Sequence, residues 1–125
     1  MKRILIAEDR PASLELIRTV LESAGYEVID AVDGQEAVEK ASENPVDLVL
    51  LDLQMPKIDG FGVVTQLRKD PRFRSTPIVA LTASAMQGDR ERALSAGFSA
   101  YIAKPIDLSV LRSEIARLIG AGSIR

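Results

Sequence analysis

The sequence predicts a doubly wound α/β domain in which five parallel strands alternate with five helices. Three observations carry this. Short apolar runs recur along the 125 residues, and the fullest of them, Leu48 to Leu51, suits a strand buried on both faces. Segments with apolar residues three and four apart lie between the runs, the period of a helix with one buried side. The residues just beyond the runs are polar, namely Glu8 and Asp9, Asp52, Thr82 and Lys104. In open α/β sheets that edge, at the carboxyl ends of the strands, is where ligands bind.

Arg3 to Ala7 reads as strand 1. Helix 1 follows with Pro11 at its first position, where the missing N–H costs nothing, and with Leu14, Ile17, Leu21 and Ala24 on one side. Gly25 supplies a left-handed cap. Strand 2, Glu27 to Ala31, carries charges, as a strand near the sheet edge does. Asp33 to Glu36 opens helix 2 in capping-box fashion, Ala37, Val38 and Ala41 form its inner side, and Asn44-Pro45 ends it. Strand 3, Asp47 to Leu51, leads into Asp52 and a loop with Met55, Pro56, Asp59 and Gly60.

Helix 3 is expected from about Phe61 to Lys69, with Val64 and Leu67 inward and a stop at Asp70-Pro71. A polar segment, RFRST, leads to strand 4, Pro77 to Leu81, which ends in Thr82. Helix 4 is placed at Asp89 to Ala96; its SAGF ending repeats the SAGY that closes helix 1, so Gly97 is expected to cap as Gly25 does. Strand 5, Ala100 to Ala103, ends at Lys104-Pro105. Asp107 caps helix 5, whose buried stripe is Leu108, Leu111, Ile115 and Leu118. The domain is placed at residues 1–120, and the short tail 121–125 is expected to fray. The helical connections are long enough for right-handed crossovers, which makes the sheet parallel.

Composition narrows the chemistry. A net charge of −2 gives no basic footprint for nucleic acid or for a membrane surface. The chain has no cysteine, which removes disulfides and thiolate chemistry and agrees with a reducing cytoplasm. It has no histidine either, which excludes Ser-His-Asp and Cys-His catalysis. The apolar stretch after Lys2-Arg3 is too short for a signal peptide, and no run is long enough to span a membrane. Carboxylates, hydroxyls, lysines and a hard cation remain.

Three carboxylates, Glu8, Asp9 and Asp52, meeting at one edge repel one another, and one would take up a proton unless cations neutralised them. Lys104 supplies one positive charge. A divalent ion supplies the rest, and oxygen ligands that keep waters and bridge to phosphate point to Mg²⁺. Such a site suits phosphoryl transfer: the metal and Lys104 hold the phosphoryl oxygens, Asp52 attacks in line, and Thr82 hydrogen-bonds the phosphate. A carboxylate is ionised at pH 7, so no general base is needed. Taken singly, each residue has a plainer reading: Asp52 as a loop acid, Thr82 as turn chemistry, Lys104 as a solvated lysine, Tyr101 as core.

The ordered set of Glu8-Asp9, Asp52-Leu53-Gln54-Met55-Pro56 with Asp59-Gly60, Thr82-Ala83 and Lys104-Pro105 resembles the receiver domain of two-component response regulators over essentially the whole chain. The resemblance implies a flavodoxin-like sheet of order 2-1-3-4-5. It implies that Asp52 accepts a phosphoryl group from the phosphohistidine of a histidine kinase or a histidine phosphotransfer protein. It further implies that Asp9, Asp52 and the backbone carbonyl of Gln54 bind Mg²⁺ with help from Glu8, often through water, and that the Lys104-Pro105 bond is cis. It also implies a switch in which Thr82 moves to the phosphate, Tyr101 turns inward, and the side made by helix 4, strand 5 and helix 5 changes its affinity for a downstream protein. Gln54 and Ser84 occupy positions that tune hydrolysis in the family. Arg10 departs from the pattern, because many relatives carry a short polar or acidic residue there; it caps helix 1 poorly and could reach the phosphate, a partner's acid, or only solvent.

Other readings fit less well. A metal-dependent phosphohydrolase with an aspartate nucleophile would carry a second acid where Gln54 stands. A flavin-binding domain would not place Glu8 and Asp9 against a phosphate, and Gly60-Phe61-Gly62 lacks the third glycine of a dinucleotide fingerprint. A degenerate, scaffold-only receiver would not keep the full acid set. The chain suits either a single-domain regulator, monomeric at rest and open to dimerisation on phosphorylation, or the receiver of a hybrid histidine kinase.

Overall fold

The structure is a computed structural model that describes residues 1–83 and 89–124; Ser84, with its expected role in tuning hydrolysis, lies outside the described residues. The elements run β1 (Arg3–Ala7), α1 (Pro11–Ser23), β2 (Glu27–Ala31), α2 (Gly34–Glu43), β3 (Leu48–Asp52), α3 (Gly60–Arg68), a 3₁₀ turn (Pro71–Phe73), β4 (Ile78–Thr82), α4 (Asp89–Ala96), β5 (Ala100–Ala103) and α5 (Leu108–Ile124). Every pairing in the sheet is parallel and the order is β2-β1-β3-β4-β5. The charged β2 is therefore an edge, as expected.

Alternation along the strands divides the core. Leu5, Ala7, Val49, Leu51, Ile78 and Ala80 pack with Ala37 and Ala41 of α2, Val63, Val64 and Leu67 of α3 and Ala93 of α4. Ile4, Ile6, Leu48, Leu50, Val79 and Leu81 pack on the other side with Ile17 and Leu21 of α1 and Leu111, Ile115 and Ile119 of α5. All five residues of β3 are buried, which is why an unbroken apolar run is needed there.

Gly25 and Gly97 both have positive φ, 95° and 116°. Each follows a matched pair of bonds: Tyr26 N–H donates to Leu21 O at 3.1 Å, and Phe98 N–H donates to Ala93 O at 3.1 Å. The repeated SAG-aromatic sequence thus closes α1 and α4 by the same left-handed cap. Asp33 accepts from the Glu36 N–H at 2.8 Å and Asp59 from the Gly62 N–H at 2.9 Å, capping α2 and α3.

The structure corrects several expectations. Strands β3 and β4 are shifted one residue later, so Asp52 and Thr82 are the last strand residues rather than the first loop residues. Helix α3 starts one residue earlier, at Gly60, and Lys69 is its cap. Ala24 is exposed because it caps α1 instead of joining its buried side. Helix α5 runs on to Ile124, past the boundary placed at residue 120. The polar RFRST segment contains a 3₁₀ turn with Phe73 buried.

One close approach fixes the loop after β3. A Cβ on Gly34 would lie 1.7 Å from the Ile58 carbonyl oxygen and 2.6 Å from its carbon, both backbone atoms. The Gly34 N–H also faces Pro56 O at 3.4 Å, and Lys57, with φ 69°, pairs with Asp33 at 3.7 Å. The Gly34→Ala variant is therefore expected to lose about 2 kcal/mol by overpacking, read in urea unfolding, and to shift the amide resonances of residues 54–59.

Candidate functional site

The strand register brings the site together. Ala7 lies opposite Leu51, so Glu8 and Asp52 stand side by side one residue further on. Thr82 lies opposite Ala103 on β5, and the Lys104 N–H donates to Thr82 O at 2.7 Å. The ammonium of Lys104 then reaches across to Glu8 Oε1 at 2.5 Å and Asp52 Oδ2 at 2.8 Å. The other oxygen of Asp52 accepts the Gln54 N–H at 2.9 Å, and Glu8 Oε2 accepts the Arg10 N–H at 3.3 Å. Glu8 is 0% exposed and Asp52 5%, whereas Asp9 is exposed at the mouth. One oxygen from each of Glu8, Asp9 and Asp52 lies within 4.8 Å of the others.

Charge is crowded here. Burial pushes the Glu8 carboxyl above its ordinary 4.5, a hydrogen bond with Asp52 raises it further, and Lys104 pulls it down without cancelling the rise. Burial works against the charge of Lys104, but its hydrogen bonds to Asp52 and Glu8 outweigh that and hold it above 10.5. Three carboxylates against one lysine leave a negative pocket with hard oxygen donors, and that set fits a divalent cation.

Thr82 and Tyr101 belong to one side of the sheet. Ala80 pairs with Tyr101 and Thr82 with Ala103, so Thr82 is the diagonal neighbour of Tyr101, on the side packed by α3 and α4. Tyr101 is half-buried and borders a cleft of about 500 Å³ with Arg90 of α4 and Ser109, Val110 and Glu114 of α5. The Lys104-Pro105 bond is cis, as expected.

Gln54 enters the geometry through its N–H, a contact the sequence reading missed; its side chain is exposed. Arg68 was missed as well. Its guanidinium donates to Gly97 O at 3.0 Å, Phe73 O at 2.5 Å, Thr76 O at 2.8 Å and Ser99 Oγ at 3.2 Å, joining α3 to the segment before β4 and to the turn between α4 and β5. A basic residue in the last turn of a helix is the only local signal for it.

A parallel sheet of this order, with acids and a lysine at its carboxyl edge, defines a flavodoxin-like α/β domain built around an anionic pocket. The chain belongs to the response regulator receiver domains, whose family model matches residues 4–116, and it is thus a phosphoacceptor signalling domain. It is 39% identical over 119 residues to the polar-differentiation response regulator DivK of Brucella anthropi, covering 95% of this chain and 97% of that one. The chemotaxis response regulator CheY4 of Vibrio cholerae has a similar structure, with TM-score 0.90, 29% identity and coverage of 94% and 98%. So does the receiver domain of a sensor histidine kinase from Pseudomonas aeruginosa PAO1, solved with magnesium coordinated in its active-site cleft, with TM-score 0.88, 39% identity and coverage of 95% and 98%. Among the described residues no helix is long and apolar enough to cross a membrane.

Proposed function

We propose that Asp52 is the phosphoacceptor of a two-component or phosphorelay switch. The observation that carries this is the grip of one partly buried lysine on two buried carboxylates, 2.5 Å from Glu8 and 2.8 Å from Asp52, at the carboxyl edge of the sheet. An Asp52 oxygen forms a P–O bond as the P–N bond of a phosphohistidine breaks, and the released electron pair and a proton end on the imidazole. The Gln54 N–H on Oδ1 orients the carboxylate, while Lys104 stands ready to hold the arriving phosphoryl oxygens. Asp9, Asp52 and the backbone carbonyl of Gln54 would hold Mg²⁺, with Glu8 assisting through water. When bound, the ion would neutralise the crowded acids and offset the negative charge of the phosphoryl group.

The family resemblance implies a switch, and the shared side of the sheet on which Thr82 and Tyr101 stand supports it. Thr82 donates its hydroxyl to the phosphate, and its diagonal neighbour Tyr101 moves into the space on the same side, reshaping the α4-β5-α5 surface. Moving from mostly off to mostly on needs a preference of about 5.5 kcal/mol. Charge-assisted bonds worth roughly 1.5 to 3 kcal/mol each, one from Thr82 and one from Lys104, reach that only toward the top of their range. The partners are a histidine kinase or histidine phosphotransfer protein upstream and a protein target downstream. The setting is cytoplasmic, and the chain signals rather than turning over a substrate.

Incubation with phosphoramidate and Mg²⁺ is expected to add one phosphoryl group per chain in the intact mass, mapping to the peptide that contains Asp52. Omitting Mg²⁺ and adding EDTA should abolish the gain. An unchanged mass with Mg²⁺ present would sink the reading.

A further inference from the structure

We propose that Arg10 captures the incoming phosphoryl donor, its guanidinium holding the anionic phosphoryl oxygens at the mouth of the Asp52 site. The proposal rests on the reading of Asp52 as phosphoacceptor and adds a donor-binding residue to it.

Position is the first argument. The Arg10 N–H is bonded to Glu8 Oε2, and the other oxygen of that carboxylate holds Lys104. One carboxylate thus separates the Arg10 backbone from the lysine that faces the acceptor. Arg10 and Lys104 also border the same groove of about 540 Å³, together with Ala83, Pro105 and Ser13. A side chain as long as arginine's, starting there, has the approach to Asp52 within its reach.

The second argument is that the side chain does nothing else. It is exposed and stands at the N-cap of α1 with no cap hydrogen bond from its side chain. Among the described residues its guanidinium makes no ion pair or hydrogen bond, as holds also for Arg74 and Arg112, whereas Arg3, Arg18, Arg72 and Arg117 each hold an acid and Arg68 holds backbone oxygens. A short polar residue here would stabilise α1 through the cap. The helix therefore starts on a residue unsuited to starting it, and local rules are broken in this way where a site uses the residue.

Electrostatics gives the residue its task. A phosphoryl donor brings negative oxygens toward three carboxylates that Lys104 only partly offsets. A cation at the rim raises the local concentration of such an anion, and the planar guanidinium fork matches two phosphoryl oxygens at once. The chemistry recognised is the phosphoryl group itself, whether it arrives on a carboxylic acid or on an imidazole.

The test uses wild type, Arg10→Gln and Arg10→Lys with saturating Mg²⁺, one arm with acetyl phosphate and the other with phosphoimidazole. In Arg10→Gln the half-saturating donor concentration is expected to rise about fivefold in both arms, with maximal rates within about twofold of wild type. Arg10→Lys should recover part of the loss, and added salt should slow wild type more steeply than Arg10→Gln. Unchanged half-saturation in Arg10→Gln overturns the proposal. A shift confined to acetyl phosphate also overturns it, because the acetyl group rather than the phosphoryl would then be what Arg10 meets. Failure of wild type to take up any phosphoryl group overturns the assignment of Asp52, an outcome separate from either of these.

Discussion

Asp52→Asn is expected to abolish phosphorylation completely and to leave the protein folded, with stability within about 1 kcal/mol of wild type. The amide retains an oxygen where Oδ1 now accepts the Gln54 N–H at 2.9 Å, so the turn after β3 keeps its bond. Lys104 keeps its bond to Glu8 at 2.5 Å. What disappears is the nucleophile, because an amide oxygen has neither the charge nor the basicity of a carboxylate, together with the Lys104 bond at 2.8 Å, which an amide nitrogen cannot accept. The Glu8 carboxyl, held up partly by its hydrogen bond with Asp52 and by the charge there, should move back toward its ordinary 4.5. Intact mass after phosphoramidate and Mg²⁺ reads the first effect, and urea unfolding reads the second. A phosphoryl group found on the variant would move the acceptor to Glu8 or Asp9.

The fold was legible because each strand is an apolar run and each helix has its own period. Leu48 to Leu51 could hardly be anything but a central strand, and all four are 0% exposed. Strand order is another matter: runs and periods say that a parallel sheet forms, but not that β1 lies between β2 and β3, and that order came with the family resemblance. The acids and Lys104 were legible because they end strands. Which atoms bond was not, since the contact of Lys104 with Glu8 spans 96 positions in sequence. Features without a period stayed hidden. Phe73 is one apolar residue among polar neighbours, yet it is buried under the turn that follows α3. The four acceptors of Arg68 come from separate segments, and the need for a glycine at position 34 arises from the Ile58 backbone folding back onto α2. Such contacts depend on the tertiary structure alone.

Lys104→Met is expected to destabilise the Mg²⁺-free protein by about 3 kcal/mol near neutral pH, because it leaves buried carboxylates facing each other without their cation. The loss should depend on pH in a definite direction. Burial and Asp52 already hold the Glu8 carboxyl above 4.5, and Lys104 is what restrains it, so removing the lysine lifts it further. A carboxyl raised in the folded state binds its proton more tightly there than in the unfolded chain. The stability it contributes is complete below 4.5 and is lost as pH rises through the raised folded value. Unfolding of the variant should therefore become easier from mildly acidic to neutral pH, and the gap to wild type should shrink on acidification. In wild type the raised Lys104 adds stability that is complete below 10.5 and lost as pH rises through its higher folded value, so its charge-linked decline falls on the alkaline side. Urea unfolding of both proteins in EDTA at pH 5 and pH 8 reads the acidic limb alone, because the Lys104 limb lies above 10.5. Repeating the pH 8 pair with Mg²⁺ tests the metal reading by a route independent of phosphorylation: an ion held by the same carboxylates neutralises what the lysine neutralised, so it should narrow the gap. A gap unmoved by pH and by Mg²⁺ would place the cost in how methionine packs, and the site's charge balance would lose its part in holding these strand ends together.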